Sequence, residues 1–286
     1  MKETRFFYTP NASQATQLPD EEAAHAVKVL RLKTGDSITL MDGCGTYYQA
    51  VVVETSQRSC SYRITEVQPQ QRQWKPWIHL AIAPTKLMDR MEWLVEKATE
   101  IGVDEISFLE CQFSERRQLK MQRLDRIAVA AMKQSRKAWK PVLNDMMPFS
   151  RFIADHDKGL RFIAHCYDDR QRFNLWHELC TQRASINVNS NLKPQTSNLT
   201  PHTSTPTPQT SNLAPQTLNL PPQTSHLDEI LVLIGPEGDF STLEVDMAVN
   251  AGFIPADLGK SRLRTETAGL AAVMMMQLGG DMIFEN

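Results

Sequence analysis

Two short segments near the end of this 286-residue chain carry the residue types best suited to gripping a small ligand. The first is Ile230-Leu-Val-Leu-Ile-Gly-Pro-Glu-Gly-Asp-Phe-Ser241, and the second is Leu258-Gly-Lys-Ser-Arg-Leu-Arg-Thr-Glu-Thr-Ala-Gly269. Each reads as the end of a buried strand, then a turn, then the start of a helix. In an open α/β sheet, ligands sit outside the carboxyl ends of the strands, so two such turns on nearby strands can wall one pocket. The first turn has neither the Gly-x-x-x-x-Gly-Lys-Ser/Thr spacing of a P-loop nor the Gly-x-Gly-x-x-Gly of a dinucleotide site. Pro236 has no N–H to offer a phosphate, and Glu237 repels one. Glycine lets the backbone approach closely. The turn therefore suits a neutral or cationic ligand held by backbone groups.

The elements that must position these turns follow from periodicity. Ile78–Ala83, Glu105–Leu109 and Arg161–Cys166 read as strands. Leu87–Ile101 reads as a helix with the apolar stripe Leu87, Met91, Leu94, Val95, Ala98 and Ile101, closed by Gly102. A second helix spans about Leu119–Ala138, with Leu124, Ile127, Ala128, Ala131, Met132 and Ser135 on one face. Alternating strands and helices imply a largely parallel sheet. Ser241 and Glu244 have the spacing of a capping box for a helix to about Ala251. The last helix, from about Thr267 to Leu278, is apolar on nearly every side. It needs burial all round, in a core or at a subunit interface. Before this domain, residues 1–73 read as a small β-rich unit. Its strands are Ser37–Met41, Tyr47–Thr55 and Ser59–Val67, with an Asp42-Gly43 turn and one helix over about Glu21–Leu30.

Residues 184–227 break the pattern. They hold seven of the sixteen prolines and one charged side chain, Lys193, in a decaying repeat of the type Pro-Gln-Thr-Ser-Asn-Leu. Proline in every copy rules out a continuous helix, and the apolar content is too low to offset ordering entropy. The stretch reads as a disordered insertion interrupting a domain that runs from 74 to 286.

Net charge is −2, but the charge is unevenly spread. Residues 116–140 carry nine basic side chains against one acid, Asp125, while residues 228–286 carry three basic and ten acidic. The five cysteines are scattered, with no Cys-x-x-Cys pair, and the seven histidines show no ligand spacing. That argues against a disulfide framework or a zinc site and suits a reducing cytoplasm. No apolar run reaches membrane-spanning length, and the N-terminal residues lack the apolar stretch of a signal peptide. A cytoplasmic location, with no membrane and no metal, is expected.

Gly235-Pro-Glu-Gly with Phe240-Ser241, then Leu258-Gly and Leu263-Arg-Thr-Glu-Thr-Ala268, resembles the ribosomal RNA small subunit methyltransferase E family of the SPOUT, or α/β-knot, superfamily. Arg5-Phe-Phe, the segment His25-Ala-Val-Lys-Val-Leu-Arg-Leu-Lys with Gly35-Asp36, Lys97-Ala-Thr-Glu with Gly102, and Gln134-Ser-Arg136 with Pro141 match family signatures in the same order. Asp239 stands where many members carry a second glycine. The resemblance implies an α/β fold with a C-terminal trefoil knot and mostly parallel sheet, preceded by a PUA-like RNA-binding barrel. It implies a homodimer that uses S-adenosylmethionine to methylate N3 of a uridine in the 16S rRNA of the small subunit. The cofactor residues it points to are Leu233, Ile234, Gly235, Pro236, Glu237, Gly238, Leu258, Gly259, Arg262, Leu263, Thr265, Thr267 and Ala268.

Uridine N3 carries a proton at neutral pH. Transfer to it needs a base, or a cation that stabilises the developing anion. Arg264 and Glu266 are the catalytic candidates. Two readings of each stay open. Arg264 either meets the uridine anion or pairs with Glu266 or Glu237 to order the turn. Glu266 is either a base or a carboxylate placed for the helix dipole. For RNA phosphates the candidates are Arg5, Lys28, Arg31 and Lys33, with Arg116, Arg117, Lys120, Arg123, Lys133 and Arg136 from the basic stripe. Two competing readings are a catalytically silent RNA-binding module, and the same chemistry on tRNA or another rRNA position.

Overall fold

The computed structural model describes residues 5–181 and 229–284, with side chains through 280. The proline-rich repeats lie outside the described residues.

A four-stranded sheet forms the N-terminal unit. Strand β1 (Phe6–Tyr8) runs parallel to β2 (Ser37–Met41). The meander β2, β3 (Thr46–Thr55) and β4 (Cys60–Pro69) is antiparallel. The Asp42-Gly43 turn forms as expected. Asp42 Oδ1 accepts from the N–H groups of Cys44 (2.7 Å) and Thr46 (3.0 Å), and Gly43 adopts φ +75°. Helix α1 (Asp20–Ala24) continues directly into a π-helical turn, His25–Val29. The single α-helix expected over 21–30 is thus wider in its second half. That turn buries Ala26 in the core with Phe7, Ile38 and Leu40 and leaves Lys28 and Val29 outside.

The second unit is an eight-stranded sheet in which every paired strand is parallel. It comprises β5 (Trp77–Ile82), β6 (Glu105–Glu110), β7 (Val142–Leu143), β8 (Met147–Pro148), β9 (Leu160–Ala164), β10 (Phe173–Asn174), β11 (Glu229–Ile234) and β12 (Ile254–Asp257). The order is β10-β12-β9-β11-β5-β6-β7, with β8 also on β6. Both faces are covered, which explains the continuous apolar runs. On β11, Ile230, Val232 and Ile234 enter the core shared with α2 (Met88–Ile101), α3 (Met121–Ser135) and α7 (Thr265–Phe284). Leu231 and Leu233 face the opposite core, with α4 (Phe149–Asp155) and α6 (Thr242–Asn250). A further helix, α5, is described over 175–181. Gly102 ends α2 at φ +124°. The capping box of α6 forms in full, with Ser241 Oγ accepting from the Glu244 N–H and Glu244 Oε2 accepting from the Ser241 N–H.

The two sheets meet along the end of α3. Gly45 N donates to Ala138 O (3.0 Å), Lys140 N to Gly43 O (2.9 Å) and Tyr47 Oη to Arg136 O (2.5 Å). Lys133 pairs with Glu22 at 2.6 Å, and Arg126 with Glu21 at 2.9 Å. Gly45 is required there, because a Cβ would sit 2.8 Å from the Trp139 ring.

Candidate functional site

The parallel sheet brings the carboxyl ends of β9, β11 and β12 side by side. The loops that leave them, together with the first turn of α7 and Arg90 of α2, enclose a cleft of about 560 Å³. The two turns read from the sequence are therefore one site. Ile234, Gly235, Pro236, Glu237 and Gly238 line it from β11, and Leu258, Gly259, Arg262, Leu263, Arg264, Thr265 and Ala268 from the other side. Leu233 points into the core behind the cleft. Thr267 is exposed, and Glu266 is buried beside the cleft rather than in its lining.

Close approach explains the glycine at 235. A Cβ there would lie 2.9 Å from Phe240 N and 3.1 Å from Asp239 C, nearer than side chains come to backbone. Glu237 does not face a ligand phosphate. Its Oε1 accepts from the Lys86 N–H at 3.0 Å, tying this turn to the β5–α2 loop. Arg116 braces the same loop by donating to Lys86 O (2.5 Å) and Thr85 O (3.2 Å).

Asp239 takes φ +68°, a left-handed conformation natural for glycine and tolerated by Asp. Its side chain adds what glycine lacks. Oδ2 accepts from the Cys166 N–H (2.7 Å) and Oδ1 from the Phe240 N–H (2.7 Å), joining the exits of β9 and β11. Asp239→Ala therefore keeps the strain and loses both bonds. It is expected to cost about 1–2 kcal/mol in urea unfolding, whereas Asp239→Asn, which keeps one of the two acceptors and tolerates the left-handed conformation, should fall between the alanine variant and the parent.

The exit of β9 carries residues that sequence reasoning missed. His165, Cys166 and Arg172 line the cleft, yet no motif marks them. His165 Nδ1 accepts from the Tyr167 N–H at 3.3 Å. Burial pushes the imidazole pKa down, so the ring is neutral with its proton on Nε2, a buried atom without a partner. Burial, then the Asp239 carboxylate, raises the Cys166 thiol. Arg172 is engaged, donating to His165 O (2.9 Å) and Asp168 (3.0 Å). Arg90, on a helix far away in sequence, also lines the cleft unannounced, as do Ala164, Ala256, Asp257 and Ser261.

The catalytic candidates separate clearly. Arg264 is exposed, and its guanidinium has no partner among the described residues. Its carbonyl accepts from the Ala268 N–H (2.7 Å) and so begins α7. Glu266 is only 6% exposed. Its Oε1 lies 3.7 Å from Arg90 Nε, and its Oε2 has no hydrogen-bond partner.

The basic stripe is largely consumed within the protein. Arg123 pairs with Glu92, Arg117 with Glu110, Lys133 with Glu22 and Lys140 with Asp125. Lys137, half-buried, sits 5.0 Å over Trp74, and burial lowers its pKa. Arg136 ends α3 in the left-handed conformation and lies 5.8 Å over Phe6. Lys120 and Arg136 are the stripe residues that are exposed without an ion pair among the described residues. Arg5, Lys28, Arg31 and Lys33 are all exposed, with no ion pair among the described residues. Among those residues no group of three metal-ligating side chains occurs, and no helix is long and apolar enough to cross a membrane.

The family described as RNA methyltransferase domain matches residues 72–190 and 180–277, and the RNA methyltransferase PUA domain matches 18–64. A solved probable rRNA-methyltransferase from Porphyromonas gingivalis is 38% identical, with a TM-score of 0.74, covering 96% of this chain and 97% of that one. The ribosomal RNA small subunit methyltransferase E of Rickettsia conorii is 22% identical over 98% of this chain and 97% of its own. The same-named protein of Neisseria gonorrhoeae, solved bound to S-adenosyl methionine, shares the fold at 22% identity and a TM-score of 0.69, over 96% of this chain and 98% of that one.

Proposed function

Because this chain belongs to the RNA methyltransferase family, with that family's PUA domain at its N-terminal side, we propose that it methylates small-subunit ribosomal RNA from S-adenosylmethionine, at N3 of a uridine. The observation that carries the reading is the convergence of two turns, 235–238 and 258–265, on one cleft at the carboxyl ends of parallel strands. The residues present fit the donor. The volume suits a ligand of that size. Backbone approaches closely at Gly235. Glu237, Asp239 and Asp257 supply negative potential for a sulfonium, and the arginines supply positive potential for a carboxylate. When bound, S-adenosylmethionine supplies an activated methyl group.

The chain's own residues do the rest. The turns at 235–238 and 258–263 hold the donor by backbone groups, which fixes attack geometry. Arg264, unpaired at the rim, stabilises negative charge on the uracil ring as N3 loses its proton. Arg5, Lys28, Arg31 and Lys33 on the N-terminal unit, with Lys120, take RNA phosphates. The division into a PUA-like unit (1–73) and a knotted methyltransferase unit (74–286), the cytoplasmic setting and the homodimer belong to the same proposal. Met274 and Leu278, exposed on α7 at 42% and 52%, supply an apolar face for the second copy.

Nucleoside mass spectrometry of 16S rRNA from a strain lacking this gene tests the reading. One 3-methyluridine is expected to disappear. An unchanged profile of 16S rRNA with a methyl mark lost from tRNA or another rRNA position moves the chemistry to that RNA. No lost mark at all leaves a silent RNA-binding module.

A further inference from the structure

The cleft's lining holds four arginines, and they are not equivalent. Arg172 is engaged by His165 O and Asp168. Arg262 and Arg264 stand exposed at the rim, where water already satisfies them. Arg90 is different. It lines the cleft from α2, with a side chain 32% exposed, and faces the buried Glu266 of α7. The contact is loose. Arg90 Nε and Glu266 Oε1 are 3.7 Å apart, too long for a hydrogen bond. Glu266 Oε2 is buried with no partner at all.

A buried carboxylate left half-satisfied is costly. It persists where something else completes it. Glu266 sits in the first turn of α7, where the helix dipole favours negative charge, but the dipole gives Oε2 no hydrogen bond. A ligand that carries a donor would complete it. The same ligand must leave Arg90 an acceptor, because drawing a cation away from Glu266 would otherwise worsen the imbalance. One chemical group presents both charges two bonds apart: the zwitterion of an α-amino acid.

We propose that Arg90 and Glu266 form the subsite for the amino-acid end of the methyl donor, Arg90 taking the carboxylate and Glu266 the ammonium. The proposal rests on the methyl-donor reading of the cleft. Arg's planar donors match a carboxylate in two parallel bonds. Glu266 Oε2 is buried and Glu266 lies behind Arg90 rather than in the lining, so binding requires Arg90 to swing toward the carboxylate and admit the ammonium. Breaking a 3.7 Å contact makes that shift cheap.

Two thioethers isolate the effect: S-adenosylhomocysteine, which keeps the amino-acid end, and 5′-methylthioadenosine, which lacks it. Calorimetry on the full chain should show S-adenosylhomocysteine binding at least about tenfold tighter than 5′-methylthioadenosine. Arg90→Met and Glu266→Gln should each remove most of that advantage while 5′-methylthioadenosine binds as before, which also reports an intact cleft. Arg90→Lys should recover part of it. Equal binding of the two probes by the parent protein overturns the proposal, even if a variant fails to fold. An equal loss for both probes in the variants overturns it too, because the pair then only shapes the cleft. If the parent binds neither thioether nor S-adenosylmethionine, the methyl-donor reading itself falls.

Discussion

Arg264→Ala should lower single-turnover methylation of small-subunit rRNA by about a hundredfold to a thousandfold, the scale for removing one group aimed at developing charge. Affinity for S-adenosylmethionine should change by less than about threefold. The separation follows from where the two ends of the residue lie. The Arg264 backbone is structural, since its carbonyl starts the hydrogen bonding of α7 through the Ala268 N–H, and alanine keeps that bond. The guanidinium is not structural. Of the two acids that the sequence offers as ordering partners, Glu237 accepts from the Lys86 N–H and Glu266 is buried facing Arg90, and neither pairs with Arg264. An exposed arginine at the mouth of the cleft, without a partner among the described residues, is left to meet the substrate. Arg264→Lys, which restores a cation without the planar donors, should recover part of the rate. Loss of donor affinity in parallel with rate would move Arg264 from the uridine to the donor.

Why the sequence reached Arg264 but not Arg90 is a matter of range. Gly235-Pro-Glu-Gly, the Ser241/Glu244 capping box and Gly102 are local. Each couples residues a few positions apart, so spacing alone predicts the bond, and the bonds form. The continuous apolar run of β11 predicts a buried strand for the same reason, and both its faces enter cores. Arg90 meets Glu266 only because α2 and α7 pack on the same face of the sheet. His165, Cys166 and Arg172 enter the cleft only because β9 lies between β11 and β12. No periodicity encodes either neighbour relation. The basic stripe shows the same dependence on range. Nine positive charges on one stretch look free when their partners are remote. Glu21, Glu22 and Glu92 approach α3 only in the folded chain, so several of these charges also pair across the two sheets and between neighbouring helices. The departure at Asp239 is legible only with dihedral angles in hand. Its φ of +68° explains why glycine suits the position, and its two carboxylate hydrogen bonds explain why aspartate serves there.

Gly235→Val should abolish measurable donor binding, raising Kd by at least about a hundredfold, or ~2.7 kcal/mol, while circular dichroism and the urea midpoint show a folded protein. The reason is steric. The Cβ at 235 meets backbone, Phe240 N at 2.9 Å and Asp239 C at 3.1 Å, and backbone cannot swing aside as a side chain can. Phe240 is itself fully buried against Phe149 and Val245, so the strain cannot be released into the core. It must open the turn toward the cleft, displacing the backbone groups at 235–238 and slackening the bond from the Lys86 N–H to Glu237. Gly238→Ala is the matched control. Its three nearest neighbours are all Phe113 side-chain atoms, the closest being Phe113 Cβ at 3.3 Å, so the exposed segment carrying Phe113 (47% exposed) has to give by only a few tenths of an ångström. That variant should bind the donor within about threefold of the parent. If the valine variant bound S-adenosylmethionine as tightly as the alanine control, the turn at 235 would have no part in holding the donor. The cleft would then need a different ligand.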